Sequence, residues 1–292
     1  MANHNGSLGA RVFSDFRELV YKKSGIKLDD GKESLVRSRV GKRMHALRIT
    51  DYEEYLKFLT QDESGKEMVH FLDAISTNVT SFFREPDHFQ LLENILKKWS
   101  LSGQKRLRIW SAACSTGEEA YSIAITALEA TPVRRDSQST KRRDSQSTKG
   151  EHQDIKILAT DISTRVLEKA QLGIYEAEKI ERVPKNLRKV YFEQISAPDT
   201  ALFRVKPILR DMIVFKRLNL SDPPFPMRGP MDVIFCRNVM IYFDRDTRQK
   251  LLEEIHRLLK THGHLIVGHA ESLAGLTNGF TAVRPSVYIK NE

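Results

Sequence analysis

Apolar positions in the N-terminal third recur at helical spacing: Phe13, Phe16, Leu19 and Val20, then Tyr52, Tyr55, Leu56 and Leu59, then Met68, Phe71, Leu72 and Ile75. Such a period predicts amphipathic helices. Asp51, with Glu54 three residues on, has the pattern of a capping box at a helix start. Little strand character precedes Arg106, so residues 10–84 read as a small all-helical domain with a linker. A helix over about 86–99 leads into the next domain.

Beyond Arg106 short apolar runs take over: LRIWSAA (107–113), IKILATDI (155–162), MIVFKRLNL (212–220), MDVIFCRNVMIYF (231–243) and HLIVGHAES (264–272). Helical stretches near 118–129, 163–171 and 246–260 lie between them. This alternation predicts an α/β domain over 85–292, with a mostly parallel, doubly wound sheet. The closing FTAVRPSVYIK predicts two strands joined at Pro285–Ser286, an antiparallel edge. The irregular segment 186–211, with Val190–Tyr191–Phe192 and Phe203–Arg204–Val205, predicts a small inserted β-subdomain.

Composition narrows the class. The chain has 292 residues, 40% of them hydrophobic and 29% charged, enough to bury a core. No run reaches the ~18 apolar residues of a membrane span, and the first residues lack the pattern of a secretory signal. Cys114 and Cys236 are too few for a disulfide framework, so a reduced, cytoplasmic monomer without membrane insertion is expected. The net charge of +9 overstates the basicity of the folded part. Residues 134–149 are a tandem octapeptide, RRDSQSTK twice, which supplies +4 and has no apolar residue, so a flexible loop is expected there. Nucleic acid is therefore not the expected partner.

Ligands of open parallel sheets bind beyond the carboxyl ends of the strands, and four polar clusters fall there. The first is Ser111-Ala-Ala-Cys-Ser-Thr-Gly117-Glu118-Glu119, whose small residues allow close backbone approach. Two acids at that turn argue against a pyrophosphate and suit a cationic or hydroxyl-rich ligand; a helix-dipole role is the alternative. Asp161 ends the second strand, where an acid can accept ribose hydroxyls or simply cap the next helix. Asn219-Leu220 follows the third, suited to the edge and face of an adenine. Arg237 and Asn238 interrupt the apolar run of the fourth and are expected to face a cleft. The polar run Ser76–Pro86, with Asn78, Thr80 and Arg84, is either an interdomain joint or a part of this site. His264 and His269 have no partner at metal-ligand spacing, and no metal is expected.

Together NVTSFFRE, WSAACSTGEEAYSIA, ILATDIS, LNL, FCRNVMIYFD and GHAES resemble the CheR-type chemotaxis receptor glutamate methyltransferases. The likeness runs in order from about Phe13 to Ile289 and leaves out only the octapeptide loop. It implies a class I S-adenosylmethionine-dependent methyltransferase sheet (Rossmann-like) closed over by the helical domain. It also implies S-adenosylmethionine as cofactor, with S-adenosylhomocysteine as product. Carried over, Asn78, Thr80, Arg84, Glu118, Asp161, Asn219, Leu220, Arg237 and Asn238 would bind it, and Arg84 and Tyr242 would lie nearest the reacting centre. The implied reaction esterifies the γ-carboxylate of a receptor glutamate.

Residues 32–48 form a predicted helix with Val36, Val40, Met44 and Leu47 on one face and Lys32, Arg39 and Arg43 on another. The resemblance makes the second face a docking surface for the acidic cytoplasmic helical bundle of a chemoreceptor; a solvated face is the alternative. Family members that bind a receptor's C-terminal pentapeptide have a glycine-containing loop in the inserted subdomain. This chain has no glycine between Gly173 and Gly229, so tether-independent docking is expected. The competing functions are a methyltransferase of a non-chemotaxis protein and a cofactor-sensing module without turnover. A nucleic-acid methyltransferase fits poorly, since RNVM stands after the fourth strand instead of an NPPY-like motif.

Overall fold

The computed structural model describes residues 8–131, 154–195 and 201–292; the octapeptide repeat lies outside the described residues. Four helices come first: α1 (Ala10–Ser24), α2 (Glu33–Leu47), α3 (Tyr52–Gln61) and α4 (Lys66–Ile75). Their apolar faces meet in one core, where the rings of Phe16 and Phe71 lie 5.7 Å apart beside Tyr55. The predicted cap is present, since Asp51 accepts the backbone N–H of Glu54 at 2.9 Å.

The second domain contains α5 (Pro86–Leu101), β1 (Arg106–Ser111), α6 (Glu118–Ala130), β2 (Asp154–Asp161) and α7 (Thr164–Leu172). An insert follows: β3 (Ile174–Glu176), α8 (Ala177–Ile180), α9 (Lys185–Tyr191), β4 (Phe192–Ile195), β5 (Leu202–Val205) and α10 (Pro207–Arg210). The chain then returns through β6 (Ile213–Arg217), β7 (Met231–Cys236), α11 (Arg245–Leu258), β8 (Leu259–Val267), β9 (Phe280–Arg284) and β10 (Val287–Lys290). The main sheet runs β6-β2-β1-β7-β8-β10-β9. Its first five strands pair in parallel, and β10 and β9 add an antiparallel edge through the predicted turn.

Alternation along β7 explains why its run VIFC is apolar at successive positions. On β7, Val233 and Phe235 join the core under α5 and α6, whereas Ile234 and Cys236 join the core under α11. A sheet covered on both faces needs apolar residues at every strand position. β2 and β7 flank β1, so the chain leaves β1 in one direction and returns on its other side. That switch point opens a crevice at the strands' carboxyl ends. No helix among the described residues is long and apolar enough to cross a membrane.

The insert is larger than the pattern predicts. Its three-stranded antiparallel sheet, β3-β5-β4, begins at Ile174, and Val190–Tyr191 ends α9 before the strand starts at Phe192. Three residues are too few to show a period, so β3 leaves no sequence signal. After Cys236 the run VMIYF is not strand; Met240–Tyr242 form a short 3-10 helix.

Candidate active site

The crevice is a cleft partly open to solvent. Its floor is the turn after β1. Gly117 has φ 95°, and a Cβ there would stand 2.8 Å from Ala170 and 3.0 Å from the Tyr175 hydroxyl, so only glycine fits. The Ser115 N–H donates to Asp161 Oδ2 at 2.9 Å, and that of Ser163 donates to Oδ1 at 3.0 Å. These bonds aim the Asp161 carboxylate at the cleft. Burial pushes its pKa up, against the lowering effect of the same amides.

Glu119, in the first turn of α6, also lines the cleft. It accepts the Ser111 hydroxyl at 2.7 Å and Arg237 Nη1 at 3.0 Å. Burial raises its pKa despite that guanidinium. Glu118, the acid expected here, is not at the cleft wall. It turns to the other side of α6, where Thr116 donates to it at 2.6 Å and Lys179 of the insert lies 3.5 Å away. The direction in which the αL residue Gly117 launches the helix chooses between the two neighbours, and sequence does not record it.

The linker forms one wall. Asn78, Thr80 and Arg84 line the cleft as expected, and the carbonyl of Asn78 accepts the Ser115 hydroxyl at 3.0 Å. Arg84 sits between two residues with left-handed backbone, Phe83 (φ 50°) and Glu85 (φ 57°). Such conformations cost about 1–3 kcal/mol each for non-glycine residues. The Phe83 N–H donates to the Ser122 hydroxyl at 3.0 Å, which fixes this bend against α6.

The segment after β7 forms the opposite wall, with Arg237, Asn238 and Tyr242. Arg237 directs its terminal nitrogens to Glu119, to Glu85 at 2.8 Å and to the Arg84 carbonyl. It therefore ties the linker to Glu119 and leaves little free guanidinium for a ligand. Despite burial, which acts to raise it, Arg237 holds the Glu85 carboxyl below its usual pKa. Asn238 has φ 56° and is fixed by Glu271 of the GHAES segment, a residue whose role no local sequence pattern announces. Leu220 and Asn219 line the cleft too, but the Asn219 amide is engaged by the Lys23 carbonyl (3.1 Å) and Ser221 (2.9 Å).

The helical domain supplies the roof through Ile26, Lys27, Leu28 and Leu35, with Lys32 at its edge. Of the three predicted docking cations only Lys32 is exposed. Arg39 donates to the carbonyls of Ile75 and Ser76 at the end of α4. Arg43 is turned inward, with Nε 2.7 Å from the buried Glu67, which also accepts the Tyr55 hydroxyl at 2.8 Å. Arg39 and Arg43 thus fasten α2 to α4, an interaction between separate helices that a single-helix projection does not display.

Comparison with known proteins agrees with this geometry. Residues 78–289 match the family model for the S-adenosylmethionine-binding domain of CheR methyltransferases, and residues 11–76 match its all-alpha domain. The chain belongs to the CheR methyltransferase family. A chemotaxis protein methyltransferase of Borreliella burgdorferi is 38% identical over 99% of this chain and 97% of its own length. One from Escherichia coli is 38% identical over 94% and 89%. Chemotaxis protein methyltransferase 2 of Pseudomonas aeruginosa is 37% identical over 94% and 91%. The second domain is accordingly a class I methyltransferase fold, and the chain is an S-adenosylmethionine-dependent methyltransferase. The small-residue turn and the two buried acids fit such a cofactor, which has a sulfonium, an amino group and ribose hydroxyls but no phosphate.

Proposed function

We propose that this protein methylates the γ-carboxylate of glutamates on the cytoplasmic helical bundle of chemoreceptors. The observation that carries this reading is the convergence of Arg84 and Tyr242, from opposite walls, on a cleft whose floor is acidic and whose rim carries Lys32. Asp161 and Glu119 would hold the cofactor's hydroxyl and amino groups, while Leu220 would pack against its base. When bound, S-adenosylmethionine supplies a methyl group on a positively charged sulfur. An acceptor glutamate is already ionised at neutral pH, so the chain needs no general base.

Its residues have two tasks, alignment and exclusion of water. Arg84, held by its own bend and by a 3.0 Å bond to the Val79 carbonyl, orients the incoming carboxylate. Tyr242 limits the approach from the other wall, and Leu28 and Leu35 keep water from the roof. A carboxylate oxygen aligned by Arg84 would take the methyl group from sulfur, giving the methyl ester and leaving the cofactor as a neutral thioether.

Lys32 and the exposed basic side chains of α2 would draw in an acidic receptor helix. Residues 196–200, SAPDT, join β4 and β5 without a glycine, which supports docking independent of a pentapeptide tether. We take the acting species to be a cytoplasmic monomer. The test incubates the protein with S-adenosylmethionine bearing a labelled methyl group and receptor-containing membranes. Label released as methanol by mild alkali, and lost with Arg84→Ala, is the expected result. Cofactor binding without alkali-labile label would overturn the receptor assignment.

A further inference from the structure

Behind the linker wall the fold assembles a cluster that no spacing in the sequence announces. Glu85 precedes α5, Asp87 and His88 lie in its first turn, and His269 follows β8. Glu85, His88 and His269 each offer a ligand atom within 4.8 Å of those of the other two. Asp87 Oδ2 lies 3.1 Å from His269 Nε2 and 3.9 Å from His88 Nε2. The two imidazoles meet edge-on, with centroids 4.8 Å apart.

His88 is the informative member. It is 1% exposed, and neither ring nitrogen has a hydrogen-bond partner. Leaving a buried polar group without a partner costs about 1–3 kcal/mol, so an imidazole in this state calls for an explanation. Its Nδ1 lies 3.4 Å from Glu85 Oε2, and its Nε2 faces Asp87. In metal sites, one ring nitrogen typically leans on a carboxylate while the other binds the ion. Glu85 already accepts Arg237 and Asn238, which suits it to orienting His88.

We infer that His88, His269 and Asp87 form a site for one divalent transition-metal ion of the Zn²⁺ class, with Glu85 orienting His88. Two imidazoles and a carboxylate are the donors that zinc accepts and that magnesium and calcium do not favour. Arg84 and Arg237 oppose a cation here, but Glu85, Glu119 and Asp87 outnumber them, and Arg237 is already paired with two of these acids. A bound ion would join the start of α5 to the segment after β8, just behind the walls that carry Arg84 and Asn238.

The test uses the full chain, stripped with a chelator and returned to chelator-free buffer. Cobalt(II) is titrated and followed by visible absorption, and zinc by calorimetry. One equivalent should bind, and zinc should raise the melting temperature. His269→Ala, at a half-exposed position, and Asp87→Asn should each weaken binding at least tenfold and abolish the thermal shift. The absence of saturable 1:1 binding, or unchanged affinity in His269→Ala, would overturn the assignment. Methyl transfer plays no part in this readout, so its outcome is independent of the proposed substrate.

Discussion

The carboxylate of Glu271 accepts the backbone N–H of Asn238 at 2.8 Å and thereby fixes the left-handed turn that ends β7. The same side chain accepts the amides of Val239 (3.0 Å), Ile241 (3.3 Å) and Gly268 (2.6 Å). A buried anion inside a nest of amides sets the whole segment from Asn238 to Tyr242. Glu271→Gln keeps the shape but loses one acceptor and the charge. It should cost about 1–3 kcal/mol in urea unfolding and lower methyl transfer at least tenfold. Unchanged turnover in a correctly folded variant would refute this positioning role.

Asp161→Asn and Glu119→Gln should each weaken S-adenosylmethionine binding by about 10- to 100-fold, the loss of a charge-assisted hydrogen bond. Because burial raises both carboxyls, affinity should fall on acidification before ordinary acids titrate near 4. The sign for the unliganded fold is the reverse. Raised carboxyl pKa values mean that acidification relieves the cost of burying these charges. Calorimetry across pH 4.5–7.5 tests both halves, and a flat affinity profile would exclude ionised acids as the cofactor's partners.

Arg43→Glu and Lys32→Glu separate structure from docking. The first leaves Glu67 buried beside a new negative charge and should destabilise the helical domain by roughly 3 kcal/mol. The second alters an exposed cleft-edge cation and should leave the melting temperature within a degree or two. It should still slow receptor methylation severalfold, with a weaker salt dependence. Equal rates for Lys32→Glu and the parent chain at low salt would remove Lys32 from the docking surface.

Deleting residues 134–149 should leave cofactor affinity unchanged. The flanking elements, the end of α6 and the start of β2, lie at the edge of the sheet opposite the cleft, as the Arg106–Asp154 pairing shows. A loss of more than threefold in affinity would contradict that placement.

The strands were legible because both faces of the sheet's middle are buried, which makes LRIW, IKIL and DVIF apolar runs broken only by Arg108, Lys156 and Asp232. The linker and the tips of β1, β2 and β7 were legible because polar or small residues interrupt those runs. What stayed hidden depends on contacts between distant elements. Glu119 rather than Glu118 faces the cleft because of the angle at which α6 leaves Gly117. Arg43 reads as a surface cation until α4 places Glu67 against it, and His88 reads as a helix residue until β8 delivers His269.

The end of α1 and its connection to α2 belong to the helical domain by chain but meet the second domain by contact. The Lys27 N–H donates to the Tyr242 carbonyl at 2.9 Å, the Lys23 carbonyl accepts the Asn219 amide, and the Tyr21 hydroxyl meets Asp244. A ligand in the cleft therefore touches both domains, and its binding energy acts across their boundary. At a hundredfold excess over Kd this amounts to about 2.7 kcal/mol. Departure of a ligand from the cleft would then remove a tie between the two domains, which makes product release a mechanical event as well as a chemical one.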